Sequence, residues 1–203
     1  MTVEDPRTGE ILRGNVNLGS LRLRQDYLHG VGMVPPFGAD GGNDGAEFAE
    51  APSVEYLAAV AEKGDALEMA LARVKQLAAH EVGHTIGFPH NYIGSAQGRS
   101  TVMDYPAPRP RITPQGGIDL SDAYGKGIGE YDKLSVVWLY QDFPPGTDEL
   151  AALKAIADSG LKAGLRYVGH WNNNFIGAGH QYASVWDNGA NLVDQLVEEL
   201  KVR

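Results

Sequence analysis

The sequence predicts an α+β domain in which one long helix separates a short strand-bearing region from a mainly helical remainder. Alternating apolar residues over Ile11–Leu23 indicate one or two strands. Apolar residues then recur at helical spacing over about Ala66–Ile86, and again in three segments of the last third of the chain. We therefore expect a single domain over residues 1–203, with the strands and the long helix in 1–90 and a helical part in 91–203.

The strand prediction rests on Val16, Leu18, Leu21 and Leu23, which follow a turn at Gly9. Alternation places such side chains on one face of a strand. Such a strand at the edge of a sheet would offer unpaired backbone groups to an extended peptide.

A loop rich in glycine and acidic residues, Phe37–Pro52, is predicted between the strands and the long helix. Carboxylate and amide oxygens bind calcium, so four side chains of this loop are candidate calcium ligands: Asp40, Asn43, Asp44 and Glu47. Their spacing does not match that of an EF-hand loop.

The long helix has Asp65 as a candidate N-cap. Its predicted core face is a stripe of apolar residues: Leu67, Leu71, Val74, Leu77 and Ala78. Later in the chain, Ile112–Gly117 is predicted to be a loop and Glu130–Tyr140 a helix.

Two more helices are predicted near the C-terminus. The first is capped by Thr147, continues through Asp158 and ends at Gly160. The second is capped by Asp187 or Asn188. One apolar stripe identifies it: Leu192, Val193, Leu196, Val197 and Leu200.

Composition excludes several classes of protein. Apolar residues make up 43% of the 203 residues and charged residues 21%, which is typical of a globular protein. The net charge is −9, and the absence of a basic run interleaved with aromatics argues against nucleic-acid binding. No apolar run reaches the roughly 18–20 residues that span a membrane. The chain has no cysteine, which excludes disulfides and thiolate metal ligands.

The strongest functional signal is the run HEVGHTIGFPH, from His80 to His90. It fixes five positions, so a chain of this length would contain it by chance on the order of once in 10⁴ sequences. His80 and His84 lie one helical turn apart on the same face and can reach one metal ion. Glu81 is placed to contact a metal-bound water without being a ligand.

The second half of the run predicts a third ligand from outside the helix. Gly87 tolerates a left-handed backbone and commonly ends a helix, and Pro89 cannot continue one. The chain can then double back and bring His90 to the same metal. Three neutral nitrogens with an open fourth position are typical of a catalytic zinc site. We therefore predict Zn²⁺ as the cofactor.

The segment TVMDYP, residues 101–106, makes the resemblance specific. An HExxHxxGxxH motif followed by a methionine in a tight turn resembles the metzincin clan of zinc endopeptidases. The resemblance implies that Met103 forms an apolar floor beneath the ligands, in the so-called Met-turn. It also implies that Tyr105 is an additional metal ligand or a transition-state donor, as in astacin-like and serralysin-like members. Asn91 departs from the acidic residue of astacins, so astacin-type cleavage preference is not implied.

Within that clan the chain is most similar to the bacterial Met-zincin family of zinc-dependent metalloproteases. The stretches that carry the similarity are DPRTGEIL, LGSLRLRQDY, QLAAHEVGHTIGFPHNY, STVMDYPAPR and GIGEYDKL. The resemblance implies a metzincin-like fold, a zinc endopeptidase with Glu81 as general base, and a peptide or protein substrate. It also implies a periplasmic or secreted location, although no signal-peptide pattern opens this chain.

Few residues ahead of the long helix have a strand pattern, so we expect the N-terminal sheet to be incomplete and the chain to be a fragment of a longer protein. Three alternatives to an active peptidase remain. The zinc site could act on a bond other than a peptide bond. The chain could be a non-catalytic, metal-stabilised binding module, or a fragment that is inactive without upstream strands.

Overall fold

The computed structural model describes residues 2–33, 64–169, 180–181 and 184–202. Over these residues the chain is mostly helical with two small sheets, so the α+β prediction is confirmed in this coarse form. The strands are β1 Thr2–Glu4, β2 Ile11–Gly14, β3 Arg111–Ile112 and β4 Ile118–Asp119. The helices are α1 Ser20–Met33, α2 Gly64–Thr85, α3 Glu130–Tyr140, α4 Glu149–Lys162 and α5 Leu192–Val202.

The N-terminal strands form an antiparallel hairpin. Thr2 pairs with Gly14 and Glu4 with Ile11, with an irregularity between them. Gly9 makes the turn with a left-handed φ of 74°, as its position in the sequence predicts. The strands β3 and β4 pair in the same way, and across the described parts of the chain no sheet has more than two strands.

The strand predicted from Val16, Leu18, Leu21 and Leu23 is wrong, because Val16 and Leu18 follow the end of β2 and Leu21 and Leu23 lie on helix α1. Two apolar residues at a spacing of two do not separate a strand from a helix. Packing decides the helix, because Gly30 lets α1 approach α2 closely. A Cβ at Gly30 would lie 3.1 Å from the Ala66 Cβ and 3.1 Å from the Met69 Cε.

Helix α2 confirms the predicted long helix, although it begins at Gly64, so that Asp65 lies in its first turn. The predicted core face is wrong in its first half: Leu67 and Leu71 are 40% and 42% exposed, while Val74, Leu77 and Ala78 are half-buried. The buried face is turned away from Leu67 and Leu71 and carries both apolar and polar side chains: Ala66, Met69, Ala70, Arg73, Gln76 and His80. A helix that presents histidines to the interior must bury the polar residues that lie above and below them on the same face.

Helix α3 has the predicted bounds, and helix α4 packs against it at Gly160, where any Cβ would overlap the Leu134 side chain. Gly160 was predicted to end this helix. It lies instead inside α4, where it contacts α3. Asp148, not Thr147, caps α4 by accepting a hydrogen bond from the Ala151 N–H at 3.1 Å.

The cap of α5 also differs from the prediction. Asn191, rather than Asp187 or Asn188, accepts the backbone N–H of Val193 at 2.9 Å. The predicted loop over Ile112–Gly117 is the turn of a short hairpin. Only Ile112 belongs to a strand, where it pairs with Ile118.

No helix among the described residues has both the length and the apolar character needed to cross a bilayer. The predicted calcium loop, Phe37–Pro52, and His170 lie outside the described residues. His29 and His180 are exposed and lie apart from the histidine cluster described next.

Candidate metal centre

The turn after α2 brings three histidines together. His80 and His84 lie on the last two turns of α2, and the Gly87 N–H donates to the His84 carbonyl at 3.1 Å. Gly87 has a left-handed φ of 93°, which a residue with a side chain rarely adopts. The Phe88 N–H then closes the turn on the Gly83 carbonyl at 2.9 Å, and His90 returns to the helix.

The ring nitrogens of the three histidines converge on one point. The His84 Nε2 lies 3.1 Å from the His80 Nε2 and 3.1 Å from the His90 Nε2. Each residue offers one such atom to a common centre, and the three can hold a metal ion. A tetrahedral ion with bonds of 2.0–2.1 Å would separate two of its nitrogen ligands by about 3.3 Å. The observed spacing fits one ion.

The hydrogen bonds of Nδ1 in His80 and His84 determine which ring nitrogen carries the proton. The His80 Nδ1 donates to the Val102 carbonyl at 2.7 Å, and the His84 Nδ1 donates to the Phe88 carbonyl at 2.7 Å. Because a carbonyl oxygen only accepts, each Nδ1 carries the ring proton and each Nε2 presents a lone pair. Lone pairs that face each other at this distance repel unless a cation lies between them. This donor set therefore fits a metal ion and not a network of hydrogen bonds.

His90 adopts the same arrangement through two tyrosines. The Tyr92 hydroxyl lies 3.1 Å from the His90 Nδ1, and the Tyr105 hydroxyl lies 2.8 Å from the His90 Nε2. If the Nδ1–H donates to Tyr92, the Nε2 again presents a lone pair, and the Tyr105 O–H donates to it. The Tyr92 contact orients a metal-binding imidazole and raises its basicity, whereas a bound metal would take the lone pair that Tyr105 contacts.

Burial favours the neutral form of the first histidine. His80 is only 2% exposed, and desolvation lowers its pKa below the usual 6.5. A neutral imidazole is the form that binds a metal, so His80 stays competent below the pH at which an exposed histidine is protonated.

Glu81 and Tyr105 border the same centre. Burial is the largest cause that raises the pKa of the Tyr105 hydroxyl, and the negative charge of Glu81 adds to it. Glu81 also favours the charged form of His80. The negative charge of Glu81 therefore acts on both rings, while the three histidines alone form the described cluster.

Met103 packs against helix α2 at Gly83. It is 1% exposed and packs with Phe88 and Val102. A Cβ at Gly83 would overlap the Met103 sulfur and lie 3.3 Å from its Cε. Glycine at position 83 is thus what lets the methionine side chain pack against the helix.

The segment that carries Met103 is held by Asp132, a residue that the sequence analysis missed. The buried Asp132 carboxylate accepts the Thr101 hydroxyl at 2.5 Å and the backbone N–H groups of Val102 and Gly129 at 2.8 and 2.7 Å. Since Val102 supplies the carbonyl that orients His80, Asp132 acts on the cluster through one intervening residue. The only signal in the sequence was its place in GIGEYDKL, one of the stretches that carry the family resemblance.

Two more residues were missed as supports of the cluster. The fully buried Asn91 donates its amide to the Arg166 carbonyl at 3.0 Å and accepts the Val168 N–H at 2.9 Å, tying the turn after His90 to a distant segment. The Gln76 amide donates to the Val102 carbonyl at 3.0 Å, and Arg73 donates in turn to Gln76. Apart from the one between Arg73 and Gln76, these contacts join residues far apart in the chain, so no local pattern reveals them.

The described residues form a mostly helical protein with two small sheets, and its three convergent histidines could hold one metal ion. Residues 62–203, more than two thirds of the chain, match the model of the Met-zincin family, and the chain belongs to that family. No curated protein and no solved structure matches the chain.

Proposed function

We propose that the protein is a zinc-dependent endopeptidase with its catalytic centre at His80, His84 and His90. The observation that carries the proposal is the convergence of the three Nε2 lone pairs, two of them fixed by Nδ1–H bonds to backbone carbonyls. Membership of the Met-zincin family supports peptide hydrolysis, and so does the presence of Glu81 beside the cluster.

Each group has a definite role in this proposal. Zinc, when bound, supplies Lewis acidity and lowers the pKa of its water towards neutrality. Glu81 accepts the proton of the attacking water and delivers it to the leaving amine. The Tyr105 hydroxyl, already 2.8 Å from the His90 Nε2, donates to the oxyanion that develops on the substrate.

Two other parts of the proposal concern support of the centre. Met103 forms the apolar floor of the site, and Gly87 turns the chain so that His90 reaches it. We further propose that residues 1–203 act as one catalytic domain on peptide or protein substrates.

The replacement Glu81→Gln tests the proposal, because it removes the base and preserves the shape of the side chain. We expect one zinc ion per chain in both proteins and a fall of about 10²- to 10⁴-fold in kcat on a casein or peptide-library substrate. His84→Ala is the comparison, and it should lose zinc as well as activity.

Two results would count against the assignment. Equal peptidase activity in the wild type and Glu81→Gln would remove Glu81 as the base. A wild-type protein that binds one zinc per chain and cleaves no peptide would refute peptidase activity of this chain and favour the three alternatives: another bond as target, a metal-stabilised binding module, or an inactive fragment.

A further inference from the structure

We propose that Trp186 is a positioning residue that holds the Tyr105 phenol against the histidine cluster. The proposal rests on the proposed function for the role of Tyr105 in catalysis, but the stack of Trp186 on Tyr105 can be tested without it.

Tyr105 lies in the middle of a stack of three rings. Its ring centroid is 5.3 Å from that of His80, with 25° between the planes, and 5.5 Å from that of Trp186, with 13° between the planes. One face of the phenol therefore meets a proposed metal ligand and the other meets the indole. Aromatic pairs at such distances contribute favourably beyond the area they bury.

The backbone of Trp186 is strained at this position. Its φ is 66°, in the left-handed region, which is a genuine outlier for a residue of this size. Arg99 is the other non-glycine residue with positive φ in the described part of the chain, and its guanidinium is fixed by the carbonyls of Asp122 and Ala123. Trp186 instead leaves its side chain 53% exposed, so burial of the indole does not account for the strain.

The residues around Trp186 are anchored to the segment that carries Tyr105. The Trp186 N–H donates to the Tyr105 carbonyl at 2.9 Å. The next residue, Asp187, is buried and accepts the Ser95 hydroxyl at 2.9 Å. The Asn188 amide donates to the Pro108 carbonyl at 3.2 Å. Three successive residues thus fix the indole over the phenol from a distant part of the chain, and strain of this kind is concentrated at functional sites.

Placement is tested in the metal-free protein by ¹⁹F NMR after incorporation of 3-fluorotyrosine. Tyr105→Phe identifies the Tyr105 resonance by its loss. We expect Trp186→Gly to move that resonance by removing the ring current of the indole, Trp186→Phe to move it less, and Trp138→Phe, at an exposed tryptophan of α3, to leave it in place. An unmoved resonance in Trp186→Gly would overturn the proposed stack.

The positioning role is tested by kinetics of the zinc-loaded protein. A phenol that is displaced from its working position should lower kcat by about 10- to 100-fold while KM stays unchanged. We expect this loss in Trp186→Gly and partial recovery in Trp186→Phe. In the Tyr105→Phe background, Trp186→Gly should have no further effect. An equal loss in both backgrounds would show that Trp186 acts independently of Tyr105 and would refute the positioning role.

Two features of the design keep the outcomes separate. Glycine adopts a left-handed φ without strain, so Trp186→Gly should keep a melting temperature close to that of the wild type. If Trp186→Gly nevertheless fails to fold, Trp186→Phe decides both measurements. If the wild type cleaves no peptide, the proposed function fails, while the NMR measurement still decides whether the indole of Trp186 stacks on Tyr105.

Discussion

Replacement of Gly83 by alanine probes the contact between helix α2 and Met103. On an exposed helix, alanine is more stable than glycine by about 1 kcal/mol. At Gly83 the new methyl group would overlap the Met103 sulfur and lie 3.3 Å from the Cε and 3.8 Å from the Cγ. Met103 is 1% exposed, so its side chain is enclosed by its neighbours.

The structure sets the expected size of the effect. Overpacking of a buried site costs about 1–3 kcal/mol, which offsets the helix gain, so we expect a net loss of about 1 kcal/mol in the free energy of unfolding. Displacement of Met103 also shifts Val102, whose carbonyl orients His80. Loss of such an outer contact weakens metal binding by about 10- to 100-fold, and we expect the lower end of that range.

Two measurements check the prediction: chemical denaturation of the metal-free protein, and zinc affinity by competition with a chelator. Gly160→Ala is the matched control, since its methyl group would overlap Leu134 between α3 and α4, away from the histidines. It should reduce stability and leave zinc affinity unchanged. In a Met103→Ala background, Gly83→Ala should become neutral or stabilising, with a coupling energy of about 1–3 kcal/mol.

The opposite pattern would refute the reasoning. If Gly83→Ala stabilises the protein as it would on an exposed helix, and zinc affinity is unchanged, Met103 does not pack against the helix as described. Additive effects of the two substitutions would lead to the same conclusion.

Three further predictions concern the surroundings of the cluster. Tyr92→Phe removes the hydroxyl beside the His90 Nδ1, and zinc affinity should fall about 10- to 100-fold in chelator competition. Asp132→Ala removes a buried carboxylate that accepts three hydrogen bonds, and denaturation should show a loss of about 3 kcal/mol or more. Burial raises the pKa of Asp104 from 3.8 to about 6, so the folded state retains a proton that the unfolded state releases between these values. The free energy of unfolding contributed by Asp104 should therefore be full below pH 3.8 and decline as the pH rises towards about 6.

Each of these predictions has a control. Tyr167→Phe, at a tyrosine outside the cluster, should leave zinc affinity unchanged. Asp158→Ala, at an exposed ion pair, should change stability by no more than about 1 kcal/mol. For the pH dependence, the comparison is Asp104→Asn in metal-free protein, where the decline should disappear. A decline of equal size in that variant would assign the effect to other groups.

The parts of the molecule that could be predicted from sequence are local in the chain. His80 and His84 are one turn apart, Gly87 and His90 follow within six residues, and helical periodicity marks α2 and α3. Such patterns depend on backbone geometry alone, and the structure reproduces them.

The parts that could not be predicted depend on tertiary contacts. Asp132 reaches Thr101 across 31 residues, and Asn91 reaches Val168 across 77. The buried face of α2 was misassigned for a related reason. Hydrophobic periodicity selects the leucines as the core face, whereas the polar residues Arg73 and Gln76 are buried because they lie on the same face as His80.

The buried polar face of α2 has a consequence for how the protein is stabilised. In an ordinary core helix the inward face is covered by apolar contacts. The inward face of α2 instead carries the ring nitrogens of His80 and His84 on its last turns and the buried guanidinium of Arg73 on an earlier turn. A ligand that binds only the folded state stabilises it in proportion to the logarithm of its free concentration, by about 4 kcal/mol at a thousandfold excess over its Kd. The free metal concentration around the chain would therefore act as a folding variable, in the way that temperature or denaturant does.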